Sequence, residues 1–320
     1  MPRLLKNSGS FQKKPKSMNK NSIMSSPIFV ILPHKETLFV KRAQRFAHLA
    51  TSHPNKESLL FSAHFCDAQQ QSTEKFKDFA SPLSHFGATS DLPLDRSKLL
   101  TLGFYESIVE DFLKRLSTPT LTSQGFSAKR QEALKHTQQQ KDQWRLWGNN
   151  LLNHRLPQQQ LAEYLFIIGA LQILYSLAAS KLDAQSLTSQ QNNLCPACSG
   201  THTANLIIEQ KPHGTIKVCS CLYCGTLWHT PYTQCTFCET TQKITTHTIE
   251  NTPNGIFPDG IFFETCETCG FYCKQLNHYQ NPTLDVFADD IATPTADFLH
   301  KASSHFKYKS FNPFLAEYSK

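Results

Sequence analysis

Glycine is scarce, at 12 of 320 residues, which excludes collagen-like repeats and argues against a Gly-rich barrel. Cysteine is almost absent from the first 194 residues, where Cys66 stands alone. The 14 histidines form no H-x-x-x-H or H-E-x-x-H pattern, and neither a phosphate-binding glycine loop nor a Ser-His-Asp arrangement is readable. No uninterrupted apolar run reaches the ~20 residues of a membrane span. Acidic residues are missing from residues 1–28. What is plentiful is core material: 39% of residues are hydrophobic and 11% aromatic, which rules out wholesale disorder and supports two domains.

A formal net charge of +7 invites a nucleic-acid or anionic-surface reading. Six of those charges, Arg3, Lys6, Lys13, Lys14, Lys16 and Lys20, lie in residues 1–28, so the body of the chain carries about +1. That stretch is rich in Asn, Ser and Lys and reads as a disordered basic tail. It has no apolar core of signal-peptide length and no twin-arginine pair, so no export signal is read; a transit peptide or an early start codon (Met18, Met24) are the other readings.

Residues 29–182 read as a helical domain. Phe39, Ala43, Phe46 and Ala50 share one face of a helix over 37–52, and Leu59, Ala63 and Cys66 share a face of the next. A loop is expected over 81–94, one continuous helix over 96–117 with Phe104, Ile108 and Phe112 in register, and a polar, solvated helix over 127–143. Residues 161–179 are the most apolar stretch. Glu163 and Gln172 interrupt it, so it reads as a buried core helix and not as a stable membrane insertion. A polar linker follows at 183–194. Short alternating runs at 204–209, 215–220, 243–250, 260–265 and 271–278, punctuated by glycine turns, predict β-hairpins. A helical pattern returns over 285–306.

Ten of the eleven cysteines fall within residues 195–273, eight of them as four C-x-x-C knuckles: Cys195/Cys198, Cys221/Cys224, Cys235/Cys238 and Cys266/Cys269. An odd total in C-x-x-C pairs fits metal binding in a reducing compartment better than a secreted disulfide framework. Such a turn presents two thiolates to one tetrahedral ion, and two turns at hairpin tips complete a four-thiolate site. Knuckles one and two are separated by 22 residues, and three and four by 27, each a hairpin's length; only 10 residues separate the middle pair. Sequential pairing gives site 1 (Cys195, Cys198, Cys221, Cys224) and site 2 (Cys235, Cys238, Cys266, Cys269); an interleaved pairing stays open, as does a reading as redox dithiols. Four sulfurs suit iron or zinc, and a closed set leaves no position for Lewis-acid catalysis. Gly225 and Gly270 follow their knuckles, whereas Ser199 and Glu239 follow the other two, so the glycine pattern is half kept.

Cys219 and Cys273 are either buried hairpin residues or redox thiols. Trp228 and His229, between knuckles two and three, either pack over the metal loops or act functionally. Asp285, Asp289, Asp290 and Asp297 suggest an acidic helix face, either solvated or docking a partner. Basic and aromatic residues do not interleave as a nucleic-acid platform would.

The residues now assembled resemble a family. Knuckles one and two, Gly225-Thr226-Leu227-Trp228-His229, Cys235-Thr236-Phe237-Cys238-Glu239, Glu264-Thr265-Cys266-Glu267-Thr268-Cys269-Gly270, Val286-Phe287-Ala288-Asp289-Asp290-Ile291-Ala292 and Phe311-Asn312-Pro313-Phe314-Leu315 look like the formate dehydrogenase accessory protein FdhE. A weaker N-terminal similarity extends this over about residues 29–315. The resemblance implies an α+β multidomain chain: a helical N-terminal domain, then two rubredoxin-like modules (195–231 and 232–320), the second carrying a C-terminal helix. It implies a cytoplasmic, non-enzymatic maturation factor or chaperone that contacts the immature molybdenum-containing catalytic subunit of formate dehydrogenase before twin-arginine export. It also implies metal, reported as iron, at the eight knuckle cysteines, and self-association as a possible homodimer. Trp228, His229, Asp289 and Asp290 are then the candidate partner-binding residues. A rubredoxin-like redox or electron-transfer module is the alternative, and a nucleic-acid-binding zinc ribbon a further one. Eight thiolates and two divalent ions would shift the body from about +1 to about −3.

Overall fold

The computed structural model of the protein describes residues 28–79, 93–118, 127–248, 258–294, 305–308 and 311–316. A short strand β1 (Val30–Ile31) precedes the helices α1 (Leu38–Leu49), α2 (Lys56–Phe76), α3 (Arg96–Thr101), α4 (Gly103–Leu116), α5 (Ala128–Gln139), α6 (Trp144–Leu152) and α7 (Leu161–Ala179). The basic tail and nearly all of the expected 81–94 loop lie outside the described residues.

α7 is the axis of the helical half. It is apolar on every face, as a helix surrounded by protein must be, and seventeen of its 19 residues are buried. It is long and apolar enough to cross a membrane by composition, yet α2, α4, α5 and α6 pack around it. Its polar residues are satisfied from within the protein. Gln172 accepts from Gln69 Nε2 at 2.9 Å and donates to the Leu222 carbonyl at 2.9 Å, and Glu163 meets His136 at 3.0 Å. Gly169 lets two rings reach the helix: a Cβ there would lie 2.4 Å from Phe65 Cζ and 2.8 Å from Phe112 Cε1.

Two helical expectations need correction. The helix over 96–117 is broken at Leu102, which is extended (ψ 131°). Gly103 is a poor helix former, and the break lets α3 pack on α6 while α4 packs on α2 and α7. The polar helix over 127–143 is not fully solvated. α5 buries Ala133, Leu134 and Thr137 against the bundle, and the Thr137 carbonyl accepts the Trp144 indole N–H.

The remaining chain forms β2 (His202–Gln210), β3 (Gly214–Cys221), β4 (Leu227–His229), β5 (Ile244–Thr248), β6 (Ile261–Cys266), β7 (Phe271–Asn277), α8 (Ala288–Ala292), β8 (Lys307–Tyr308) and α9 (Pro313–Ala316). The strands make one eight-stranded sheet in the order β1-β4-β3-β2-β7-β6-β5, with β8 beside β7. The hairpins β2–β3 and β6–β7 are antiparallel, and a parallel pairing of β2 with β7 (Asn205 opposite Gln275, Leu206 opposite Leu276) joins them. The two cysteine-bearing ribbons therefore share one sheet. β1, from the start of the helical half, extends it by pairing Val30 with Trp228. The expected helix over 285–306 is short among the described residues. It ends at Ala292, because Pro294 disfavours helical backbone at Thr293 (ψ 47°); residues 295–304 lie outside the described set. α9 returns to the bundle, where Phe314 meets the rings of Phe65 and Phe287.

Candidate metal centres

All four knuckles adopt the same local turn. In each, the residue after the second cysteine is left-handed: Ser199 at φ 53°, Gly225 at 75°, Glu239 at 59° and Gly270 at 72°. The first cysteine's carbonyl accepts from that residue in the Ser199, Glu239 and Gly270 turns, at 2.7, 3.0 and 2.9 Å. Glycine removes the side-chain cost of this geometry at two sites; at the other two the turn holds against it. The motif that is half kept in sequence is fully kept in backbone.

The turns bring the cysteines together in the sequential pairing. Cys195, Cys198, Cys221 and Cys224 form one group and Cys235, Cys238, Cys266 and Cys269 another, with all ligand atoms in each group within 4.8 Å of one another. Sγ–Sγ separations are 3.6 Å for Cys195–Cys224, Cys198–Cys221 and Cys198–Cys224, and 3.8 and 3.7 Å for Cys235–Cys269 and Cys238–Cys266. A tetrahedron with metal–sulfur bonds of ~2.3 Å has edges of about 3.8 Å, so both groups fit a four-coordinate thiolate ion.

The two groups differ in setting. Site 1 lies in the main core, with its four cysteines at 0–1% exposure alongside Leu222 and Tyr223 of the second knuckle. The Leu222 carbonyl accepts from Gln172 of α7, and the Tyr223 hydroxyl donates to the Leu151 carbonyl of α6 at 2.8 Å. Gly200 closes the first knuckle, and a Cβ there would lie 2.9 Å from Cys221 Sγ and 3.2 Å from Cys198 Sγ. Burial pushes the Cys195 and Cys224 thiols well up. It acts the same way on Cys221, but hydrogen bonds from Cys195, Cys198, Cys224 and the Cys224 amide outweigh it and hold that thiol well below its usual range. Four ionised sulfurs in this pocket require a cation. Site 2 is at the surface: Cys238 is exposed and Cys269 half-buried. Burial pushes Cys269 up to about 11, whereas for Cys266 the backbone amides of Cys269 and Thr268 and the neighbouring thiols overcome burial and lower it.

The remaining candidates are integral to the fold. Cys66 is buried on α2. Cys219 and Cys273 are buried in the sheet; Cys219 Sγ lies 3.3 Å from Thr230 Oγ1, and burial raises both thiols. Trp228 is buried, and its indole N–H donates to Asn193 Oδ1 at 2.8 Å. His229 is half-buried, and its amide donates to the Phe29 carbonyl. Asp289 and Asp290 do not form an exposed acidic face. Their exposures are 0% and 1%. Asp289 takes a two-pronged ion pair from Arg45 of α1 at 2.9 and 2.7 Å, and Asp290 pairs with buried Lys274 of β7 at 2.9 Å. Both carboxylates are engaged within the chain, because two buried cations from distant segments need them.

Sequence reasoning passed over Asn193. In the stretch read as linker, its side chain holds Trp228, contacts Cys219 Sγ at 3.3 Å and donates to the Thr236 carbonyl at 3.0 Å. It also passed over Arg96, whose guanidinium lies over the Tyr223 ring at 5.2 Å. Neither carries a motif signal.

Comparison with known proteins gives consistent matches. The family model described as FdhE, N-terminal, matches residues 27–192, and that of the FdhE C-terminal domain matches residues 233–315. A protein FdhE homolog of Rhizobium meliloti is 28% identical over 295 residues, covering 91% of this chain and 94% of that one. A homolog of Proteus mirabilis is 24% identical, covering 89% and 90%. The crystal structure of the FdhE protein from Pseudomonas aeruginosa shares the fold, with a TM-score of 0.70 at 22% identity over 90% of this chain and 98% of that one.

Proposed function

We propose a maturation role for this chain, which belongs to the FdhE family. It acts in the cytoplasm as a non-enzymatic accessory factor for respiratory formate dehydrogenase, binding the immature molybdenum-containing catalytic subunit before twin-arginine export. The observation that carries the reading is that each four-cysteine group is closed by the chain's own donors. Such a site has no open position for a substrate and supplies folding energy and shape instead. Site 1, in the core, fixes the sheet against the bundle. Site 2, at the surface, shapes what a partner meets. Iron or zinc fits either site, and self-association is part of the same reading.

A redox role is the second reading, favoured by the exposure of Cys238 and Cys269, which gives an electron or oxidant access to site 2. Deleting the gene separates the two. The maturation reading expects formate dehydrogenase activity to be lost while the catalytic polypeptide is still made, and zinc-loaded protein to bind that polypeptide in a pull-down. Full activity in the deletion overturns it. Partner binding or rescue that requires iron cycling favours the redox reading.

A further inference from the structure

Filled by a divalent ion, site 1 is a buried group of net charge −2, since four thiolates outweigh the ion by two. Such a charge needs a compensating cation, because burial without one is costly. No lysine or arginine carries a knuckle motif, so the compensation is invisible in sequence order.

Arg96 meets the requirement. It opens α3 and sits half-buried against the second knuckle, with its guanidinium over the Tyr223 ring at 5.2 Å. The same ring approaches the sulfurs: the Cβ position at Gly200 lies 2.9 Å from Tyr223 Cδ2, 2.9 Å from Cys221 Sγ and 3.2 Å from Cys198 Sγ. Cys198 and Cys221 are also in electrostatic reach of the guanidinium. No carboxylate among the described residues pairs with Arg96. Its Nη2 donates to the Leu152 carbonyl at 3.3 Å, while its buried Nη1 has no partner. The residue is held in place by its own backbone, whose carbonyl accepts the Tyr175 hydroxyl at 2.8 Å. Among the described residues site 2 has no buried counterpart: Glu239 and Glu267 adjoin its cysteines, the nearby Lys243 and Lys307 are exposed, and solvent screens its charge.

We propose that Arg96 is a charge partner of site 1, alongside buried Arg42, whose Nη2 lies 3.6 Å from the Cβ position at Gly225, and a positioning residue that stabilises the filled, doubly negative centre and sets its retention of metal apart from that of site 2. The guanidinium acts through Tyr223 and through space, without ligating the ion. If the ion is iron, the ferrous centre carries −2 and the ferric centre −1, so a neighbouring cation favours the ferrous form and raises the reduction potential.

The test uses the full chain with Cys238→Ser and Cys269→Ser, so that only site 1 holds metal. Arg96→Met keeps an apolar stem and removes the charge; Arg96→Lys keeps the charge and loses the fork. Metal release to a chromogenic chelator is followed in each. We expect Arg96→Met to speed release by about tenfold, the size of effect a part-buried charge partner exerts, and Arg96→Lys to stay near the parent. In iron-loaded protein the potential falls in Arg96→Met and is held in Arg96→Lys. Release and potential unchanged in Arg96→Met overturn the proposal. Equal loss in both variants overturns it too, since that marks a packing role for the guanidinium on Tyr223. If Arg96→Met does not fold, Arg96→Gln and the Lys variant decide by the same comparison. A parent that binds no metal at site 1 removes the premise and the proposal together, whatever the result with formate dehydrogenase.

Discussion

Losing one ligand from site 1 and one from site 2 is expected to have unequal consequences. Cys221→Ser and Cys238→Ser each remove one of four thiolates, and in sequence the two positions look equivalent. In site 1 the three sulfurs left behind, of Cys195, Cys198 and Cys224, are at 0% exposure. Water cannot replace the missing ligand or solvate the released thiols. The same knuckle also carries Leu222 and Tyr223, which hold α7 and α6 by hydrogen bonds. A structural four-thiolate ion contributes on the order of 10 kcal/mol to the folding of a small ribbon, against about 5–15 kcal/mol of total stability for a domain. Losing even half of that at site 1 costs roughly 5 kcal/mol and lowers Tm by more than about 10 °C. In site 2, Cys238 is exposed and Cys269 half-buried. Solvent reaches the vacated position and Cys269, although Cys235 and Cys266 are buried, so Cys238→Ser costs about 2 kcal/mol and opens only the outer ribbon. Circular dichroism melts with metal-to-protein ratios measure both, and limited proteolysis shows which half opens. A Cys238→Ser melt as low as that of Cys221→Ser refutes the argument, as does a Cys221→Ser protein that has lost one ion yet melts with the parent.

Three further outcomes follow from packing and charge. Gly169→Ala drives a methyl group into Phe65 and Phe112 and is expected to destabilise by about 1–3 kcal/mol in urea unfolding. Asp290→Ala leaves the fully buried Lys274 ammonium its carbonyl and hydroxyl acceptors but takes away its counter-charge, and it removes the acceptor of Asn312 Nδ2; a loss of about 3–5 kcal/mol is expected, largely recovered by pairing Asp290→Leu with Lys274→Met. Burial alone would raise the Asp111 carboxyl, but hydrogen bonds from Lys75, Arg115 and Ser72 hold it below its usual range. Its contribution is therefore complete above the unfolded value of ~3.9 and lost as pH falls through the lower folded value; stability measured between pH 5 and 2 should fall less steeply in Asp111→Asn.

The two four-cysteine groups were foreshadowed in the sequence because the chemistry is local. A C-x-x-C turn is completed within six residues, and a hairpin supplies the second half of each site. Helices with one apolar face were legible for a similar reason, since 3.6-residue periodicity is written along the chain. The break at Leu102 was hidden because the apolar spacing runs through it and only the packing of α3 on α6 distinguishes two helices from one. The shared sheet was hidden as well. The parallel pairing of β2 with β7 joins residues about 70 positions apart, and no pattern within either hairpin announces it. Lys217 strengthens that junction, its buried ammonium reaching Glu264 of β6 at 2.8 Å and the Gln234 carbonyl at 2.9 Å.

Asp289 and Asp290 show why residue type alone misassigned a surface. Two adjacent carboxylates in an amphipathic stretch read as an acidic face, yet adjacent helical residues point about 100° apart. Asp289 turns to Arg45 in α1, and Asp290 to Lys274 in β7 and Asn312 before α9. The five-residue helix α8 thus ties the bundle, the sheet and the C-terminal segment together, through cations that lie far away or on another element. With those carboxylates and Trp228 enclosed, none of the three offers a partner a free polar or aromatic surface. Under the proposed maturation role, client recognition would draw on other residues, and site 2, whose Cys238 and Cys269 reach solvent, is the four-cysteine group that a partner would meet without first opening the core.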